Sequence, residues 1–132
     1  MKSLIALLTV CAVFIFSSCV RNDVAKVVVH GKWEVSSYTS NGNVDETAGF
    51  AGWTLNFEKN NTLTISSGSG EVKGNWYKAA GTYDQNLLFV LPVGSTWEKL
   101  NANWVVTDKD RKNIWMRTED PHPDAKLVLK RK

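Results

Sequence analysis

The chain has 132 residues, six of them tryptophan, and carries 16 Lys and Arg against 13 Asp and Glu for a net charge of +3. That length holds one domain with a single core and excludes two. The charges are scattered, apart from Lys130-Arg131-Lys132, which argues against the one-sided basic face of a nucleic-acid binder.

The N-terminus has the layout of an export signal. Lys2 precedes the apolar run from Leu4 to Phe16, which is short for a membrane span, and the small residues Ser17 and Ser18 stand just before Cys19. This arrangement resembles the bacterial lipobox, with Phe16 in place of the commoner Leu. The resemblance implies cleavage after residue 18 and acylation of Cys19, so that the membrane becomes a partner through the lipid. An ordinary signal peptide that leaves Cys19 as a free thiol is the competing reading. Cysteine arithmetic favours the lipid. Cys11 leaves with the signal, and Cys19 is then the lone cysteine of an exported chain, with no intramolecular disulfide open to it. Several acyl chains on one residue anchor far more firmly than one, which gives only marginal binding. Val20 rather than Asp after the cysteine points, by resemblance to lipoprotein sorting rules, to the outer membrane of the cell envelope. Residues 19–29 are expected to form a tether between lipid and fold.

Beyond the tether the dominant hydrophobic period is two. Trp53, Leu55 and Phe57 alternate with polar neighbours, as do Leu63 and Ile65, and then Leu100, Ala102, Trp104 and Val106. The sole helical candidate, Asp45 to Phe50, is short. Turn chemistry marks the joints at Lys59-Asn60-Asn61, Ser67-Gly68-Ser69-Gly70, Ala80-Gly81, Pro92-Val93-Gly94-Ser95, Asp108-Lys109-Asp110 and Asp120-Pro121-His122-Pro123-Asp124. Between them the pattern predicts eight strands, near 30–38, 53–59, 62–67, 70–79, 86–91, 96–107, 112–118 and 125–131. Sequential strands with short joints predict an all-β antiparallel up-and-down barrel over 30–132, since closure removes exposed edges. A β-sandwich is the competing architecture. Leu87 to Leu91 is apolar on both faces, so its outer side needs a cover, for which the Tyr38–Gly52 loop is the candidate.

Gly31-Lys32-Trp33 at the first strand and Arg131 at the last resemble the lipocalin and wider calycin pattern. Leu55-Asn56-Phe57, Trp104-Val105-Val106 and Leu127-Val128-Leu129-Lys130 extend the likeness to small bacterial lipocalin-like lipoproteins. The resemblance implies that Trp33 closes one end of the barrel with Arg131 packed across its ring, a contact worth about 0.5–2 kcal/mol, while Gly31 allows the close approach. It also implies a binder or carrier of a small hydrophobic or aromatic ligand. Two departures from the pattern, the short chain and the missing C-terminal helix, put a large cavity in doubt.

An eight-stranded barrel either fills with side chains or holds one small ligand. The candidate lining is Trp53, Leu55, Phe57, Trp76, Phe89, Trp104 and Met116, with Tyr38, Tyr77 and Tyr83 as hydroxyls near the rim. The alternative is a filled, non-enzymatic module that docks a protein or glycan through outward aromatics such as Trp97 and Trp115. Catalysis is not expected. The histidines are His30 and His122, too few for convergent metal ligands, and none of Gly-x-Ser-x-Gly, His-Glu-x-x-His or Cys-x-x-Cys occurs. No cofactor or metal is expected, and the barrel is expected to be monomeric.

Overall fold

The computed structural model describes residues 23–79, 86–119 and 124–132. The export signal, Cys19, the Ala80-Gly81 turn, Tyr83 and His122 lie outside the described residues. The strands are β1 (Trp33–Ser40), β2 (Val44–Asp45), β3 (Thr54–Phe57), β4 (Thr62–Ser67), β5 (Gly70–Ala79), β6 (Asn86–Val90), β7 (Asn103–Lys109), β8 (Asn113–Thr118) and β9 (Lys126–Arg131). Neighbours pair antiparallel in the order β2-β1-β3-β4-β5-β6-β7-β8-β9, and β1 pairs again with β9. β2 is a short flap on the end of β1, and the other eight strands form a closed antiparallel ring. The alternative sandwich is excluded by that closure.

Alternation sets the register. Leu55 opposes Ile65 and Phe57 opposes Leu63, Trp76 opposes Phe89, Leu87 opposes Trp104, and Val35 opposes Leu129. All ten side chains are buried in one core. Because side chains alternate between faces, one apolar set in step around the ring is enough to say which face is inside. Bulges between Val35 and Ser37 and between Val106 and Asp108 shift the register locally, and bending of this kind helps a sheet to close. Asn61 takes a positive φ of 69° at the β3–β4 turn, which Asn tolerates. Gly74 on β5 lets the next strand come close. A Cβ there would meet the Val90 carbonyl oxygen and lie 2.8 Å from Leu91 Cδ2.

Three segments differ from the sequence pattern. Within the expected tether, α1 (Val24–Val28) is a helix, so the fold starts ahead of residue 30. The Asp23 carboxylate accepts a hydrogen bond from the Ala25 amide at 3.0 Å, as an N-cap does. Val24 and Val28, one turn apart, are both fully buried. Valine is a weak helix former, so packing decides here: roughly 1.5–3 kcal/mol for each buried side chain outweighs a few tenths of propensity. The expected strand at 96–107 divides into a 3-10 turn at Thr96–Leu100 and then β7. Residues three apart eclipse in a 3-10 turn, which explains why Trp97 and Leu100 are buried together. The Tyr38–Gly52 loop holds another 3-10 turn, Thr47–Phe50. It packs against β1 and not over the outer side of β6, where Val90 stays 46% exposed.

Candidate functional site

The barrel has two unlike ends. At the closed end the Trp33 indole is fully buried and its Nε1 donates to the Val28 carbonyl at 2.9 Å, which ties the ring to α1. The Arg131 guanidinium carbon stands 4.8 Å from the centroid of that ring, and Nη2 donates to the Val27 carbonyl at 3.3 Å. Gly31 has φ +89°, a left-handed backbone conformation, and a Cβ there would lie 3.4 Å from Arg131 Cδ. Both facts favour glycine. Lys78 on β5 reaches Asp23 at 2.7 Å and holds the start of α1 to the wall. This contact keeps the Asp23 carboxyl below its ordinary range.

At the mouth the two 3-10 turns meet. Phe50 sits edge-on to Tyr38 at 5.3 Å and tilted against Trp97 at 4.9 Å, and Trp53 meets Trp97 at 5.7 Å. Lys99 pairs with Glu46 at 3.0 Å, and Ser40 Oγ donates to the same carboxylate at 2.7 Å. The Ser40 and Lys99 contacts both lower the Glu46 carboxyl. Beside this lid lies a cleft of about 240 Å³ lined by Tyr38, Ser40, Lys99, Asn101, Asn103 and Ala125, among others. Burial raises the Tyr38 phenol above its usual value, with Glu46 adding to the effect and Lys99 opposing it, so the group keeps its proton and donates a hydrogen bond to the Lys99 carbonyl at 3.3 Å. The Asn103 Nδ2 donates to Glu119, while its Oδ1 is buried and, among the described residues, has no partner.

No family model matches the chain, and no curated protein matches it in sequence. Solved structures do. A DUF4847 family protein from Bacteroides vulgatus ATCC 8482 superposes with a TM-score of 0.58 at 15% identity, over 83% of this chain and 97% of that one. A lipocalin-like protein from Bacteroides uniformis ATCC 8492 superposes with a TM-score of 0.54, also at 15% identity, over 79% of this chain and 98% of the other. The fold is a small lipocalin-like barrel. Identity this low bears on the fold alone.

The residues expected to line a pocket lie in or against the core of this lipocalin-like barrel. A cavity with room for solvent leaves accessible area on its walls. Leu55 and Trp104 have none, Phe57 and Phe89 have 1%, and Met116 has 2%. Trp76 is also buried and its Nε1 donates to the Glu58 carbonyl at 2.9 Å, as that of Trp104 does to the Leu100 carbonyl. Phe57 packs on Trp76 at 5.8 Å and on Phe89 at 5.6 Å. These six side chains belong to one buried core, because bulky residues facing in from short strands meet across the axis. Trp53 is half-buried and belongs to the mouth lid. Trp97, expected to face outward, is buried in that lid; Trp115 is half-buried and Tyr77 exposed.

The rim residues Ser40, Asn101 and Asn103 carried no expectation. Their signal was weak: the polar pair Asn101 and Asn103 flanks Ala102 just where the alternation begins. Asn101 is structural, since its amide mimics a strand by accepting from the Leu91 amide at 2.6 Å and donating to the Leu91 carbonyl at 2.9 Å. Asn103 has no such complete pairing.

Proposed function

We propose that this chain is an envelope lipoprotein, cleaved before Cys19, acylated there and held at the outer membrane, and that its barrel is a binding protein rather than an enzyme. In this reading the ligand sits at the rim cleft and not in a deep calyx. The observation that carries it is the buried, unpartnered Asn103 Oδ1 beside a recess of about 240 Å³. A buried acceptor without a donor costs roughly 1–3 kcal/mol, and a ligand whose donor displaced the side chains now covering Oδ1 would recover that. The recess lies below the roughly 300–1,000 Å³ of drug-sized sites. It therefore suits a ring or small head bearing a hydrogen-bond donor, resting beside Tyr38.

The packed interior favours a second reading, a filled barrel on a lipid tether that docks a protein or glycan. Native mass spectrometry of the mature chain from its own cells separates the two. A co-purified small molecule that is lost in Asn103→Leu supports the rim site. A bare mass in both the parent and the variant supports the filled module. The anchor has its own test, because the Cys19→Ala chain should leave the membrane fraction. If it still pellets with membranes, the lipid reading is wrong.

A further inference from the structure

The closed end carries a second concavity, a cleft of about 560 Å³ between α1 and the β7–β8 hairpin. Its polar walls are Lys26, His30, Lys109, Asp110, Arg111 and Arg131. Cations therefore dominate it, with one carboxylate opposed. That carboxylate is engaged elsewhere. Asp110 Oδ1 accepts from the Lys112 and Asn113 amides, each at 2.7 Å, and these bonds hold its carboxyl below the ordinary range. Among the described residues Lys26, Arg111 and Arg131 form no ion pair. Arg131 is held by the Val27 carbonyl and the Trp33 ring, and its Nε is buried with no acceptor among the described residues. Like charges gathered around one concave, low-dielectric surface focus the potential and favour an anion there. Ammonium and guanidinium donors together suit the oxygens of a phosphate.

We propose that this cleft binds the phosphate of an anionic lipid headgroup. The occupant follows from where α1 lies. This helix forms one wall of the cleft, and its cap, Asp23, stands four residues after Cys19. Four extended residues span about 14 Å. With a lipid on Cys19, the anchor proposed above and the premise on which this choice of occupant rests, the closed end hangs at headgroup level and the mouth points away from the bilayer.

The experiment uses residues 20–132, which contain every strand of the ring and lack the lipid, so it reads the cleft independently of the anchor. Flotation is compared on vesicles of phosphatidylglycerol with phosphatidylcholine and on phosphatidylcholine alone. The chain should float with the anionic vesicles and not the neutral ones, and high salt should release it. Lys26→Gln with Arg111→Gln should weaken binding about 25-fold, at roughly fivefold for each surface charge. Both residues are exposed, and an unchanged melting temperature confirms that the variant is folded. Equal flotation on both vesicles, or no change in the double variant, overturns the proposal. Phosphorus NMR with inorganic phosphate separates a free anion from a headgroup: phosphate binding without flotation overturns the lipid as occupant. If flotation fails while Cys19→Ala still leaves the membrane, the cleft assignment falls and the anchor stands.

Discussion

At the closed end a helix, an indole and a guanidinium lie in direct contact, and main-chain carbonyls take the indole N–H and one guanidinium nitrogen. At the mouth, two single-turn 3-10 segments lean on each other through the rings of Tyr38, Phe50, Trp53 and Trp97. The mouth adds one ion pair, Lys99 with Glu46, whose side chains are 50% and 30% exposed, and such pairs contribute little. Both ends exclude water, but by means that differ in how readily they reopen. The hydrogen bonds at the mouth, from Tyr38 to the Lys99 carbonyl and from Ser40 to Glu46, are only part-buried, while the closed end fixes a fully buried indole N–H on a carbonyl. The mouth is therefore the end expected to open first.

Substitutions can break or sharpen that contrast. Trp33→Ala should have the largest effect, about 3–5 kcal/mol by chemical denaturation, because it leaves a walled cavity and strips Arg131 of its ring. A loss below about 1 kcal/mol would mean that Trp33 is not a structural floor and that the two ends are alike. Phe50→Ala should cost less, about 2 kcal/mol, since space vacated at a mouth opens to water and only the transfer free energy is lost. It should also raise binding of an apolar fluorescent dye; a loss equal to that of Trp33→Ala would erase the distinction.

Asp23→Ala should cost about 1 kcal/mol near neutral pH through the lost cap. The lowered Asp23 carboxyl fixes the sign of its pH dependence: the stabilisation is complete above the ordinary value of 3.8 and disappears as pH falls through the lower folded value. The gap between parent and variant, followed by thermal melts, should close in acid. A gap that widens there would show that the Lys78 contact does not hold α1 down.

Most of the ring was legible because alternation is a local signal. Leu55 and Phe57, or Leu127 and Leu129, announce an inner face without knowledge of the partner strand. Gly31, Trp33 and Arg131 carry the calycin likeness, and Arg131 packs on Trp33 and beside Gly31 although it lies 98 residues beyond Trp33. What escaped was decided by packing. Val24-Ala25-Lys26-Val27-Val28 has no intrinsic helix preference, and its one readable mark was Asp23 as a cap. The 96–100 turn was masked by the apparent continuity of Leu100, Ala102 and Trp104. Ser95-Thr96-Trp97-Glu98 had the spacing of a capping box, but the Ser95 side chain makes no cap bond. The filled interior depends on how side chains from all the strands share one axis, which no single strand reveals.

The pairing of β1 with β9 has a consequence for how the molecule is made. β1 meets β3 in register at Trp33 and Leu55, but meets β9 along its length, from Trp33 with Arg131 to Thr39 with Lys126. The first strand of the ring thus waits for the last. While the chain emerges from a ribosome, β1 keeps an unpaired edge until Leu127, Leu129 and Arg131 arrive. Contacts so far apart in sequence form slowly. A nascent chain would keep that edge open until the residues of β9 had been made.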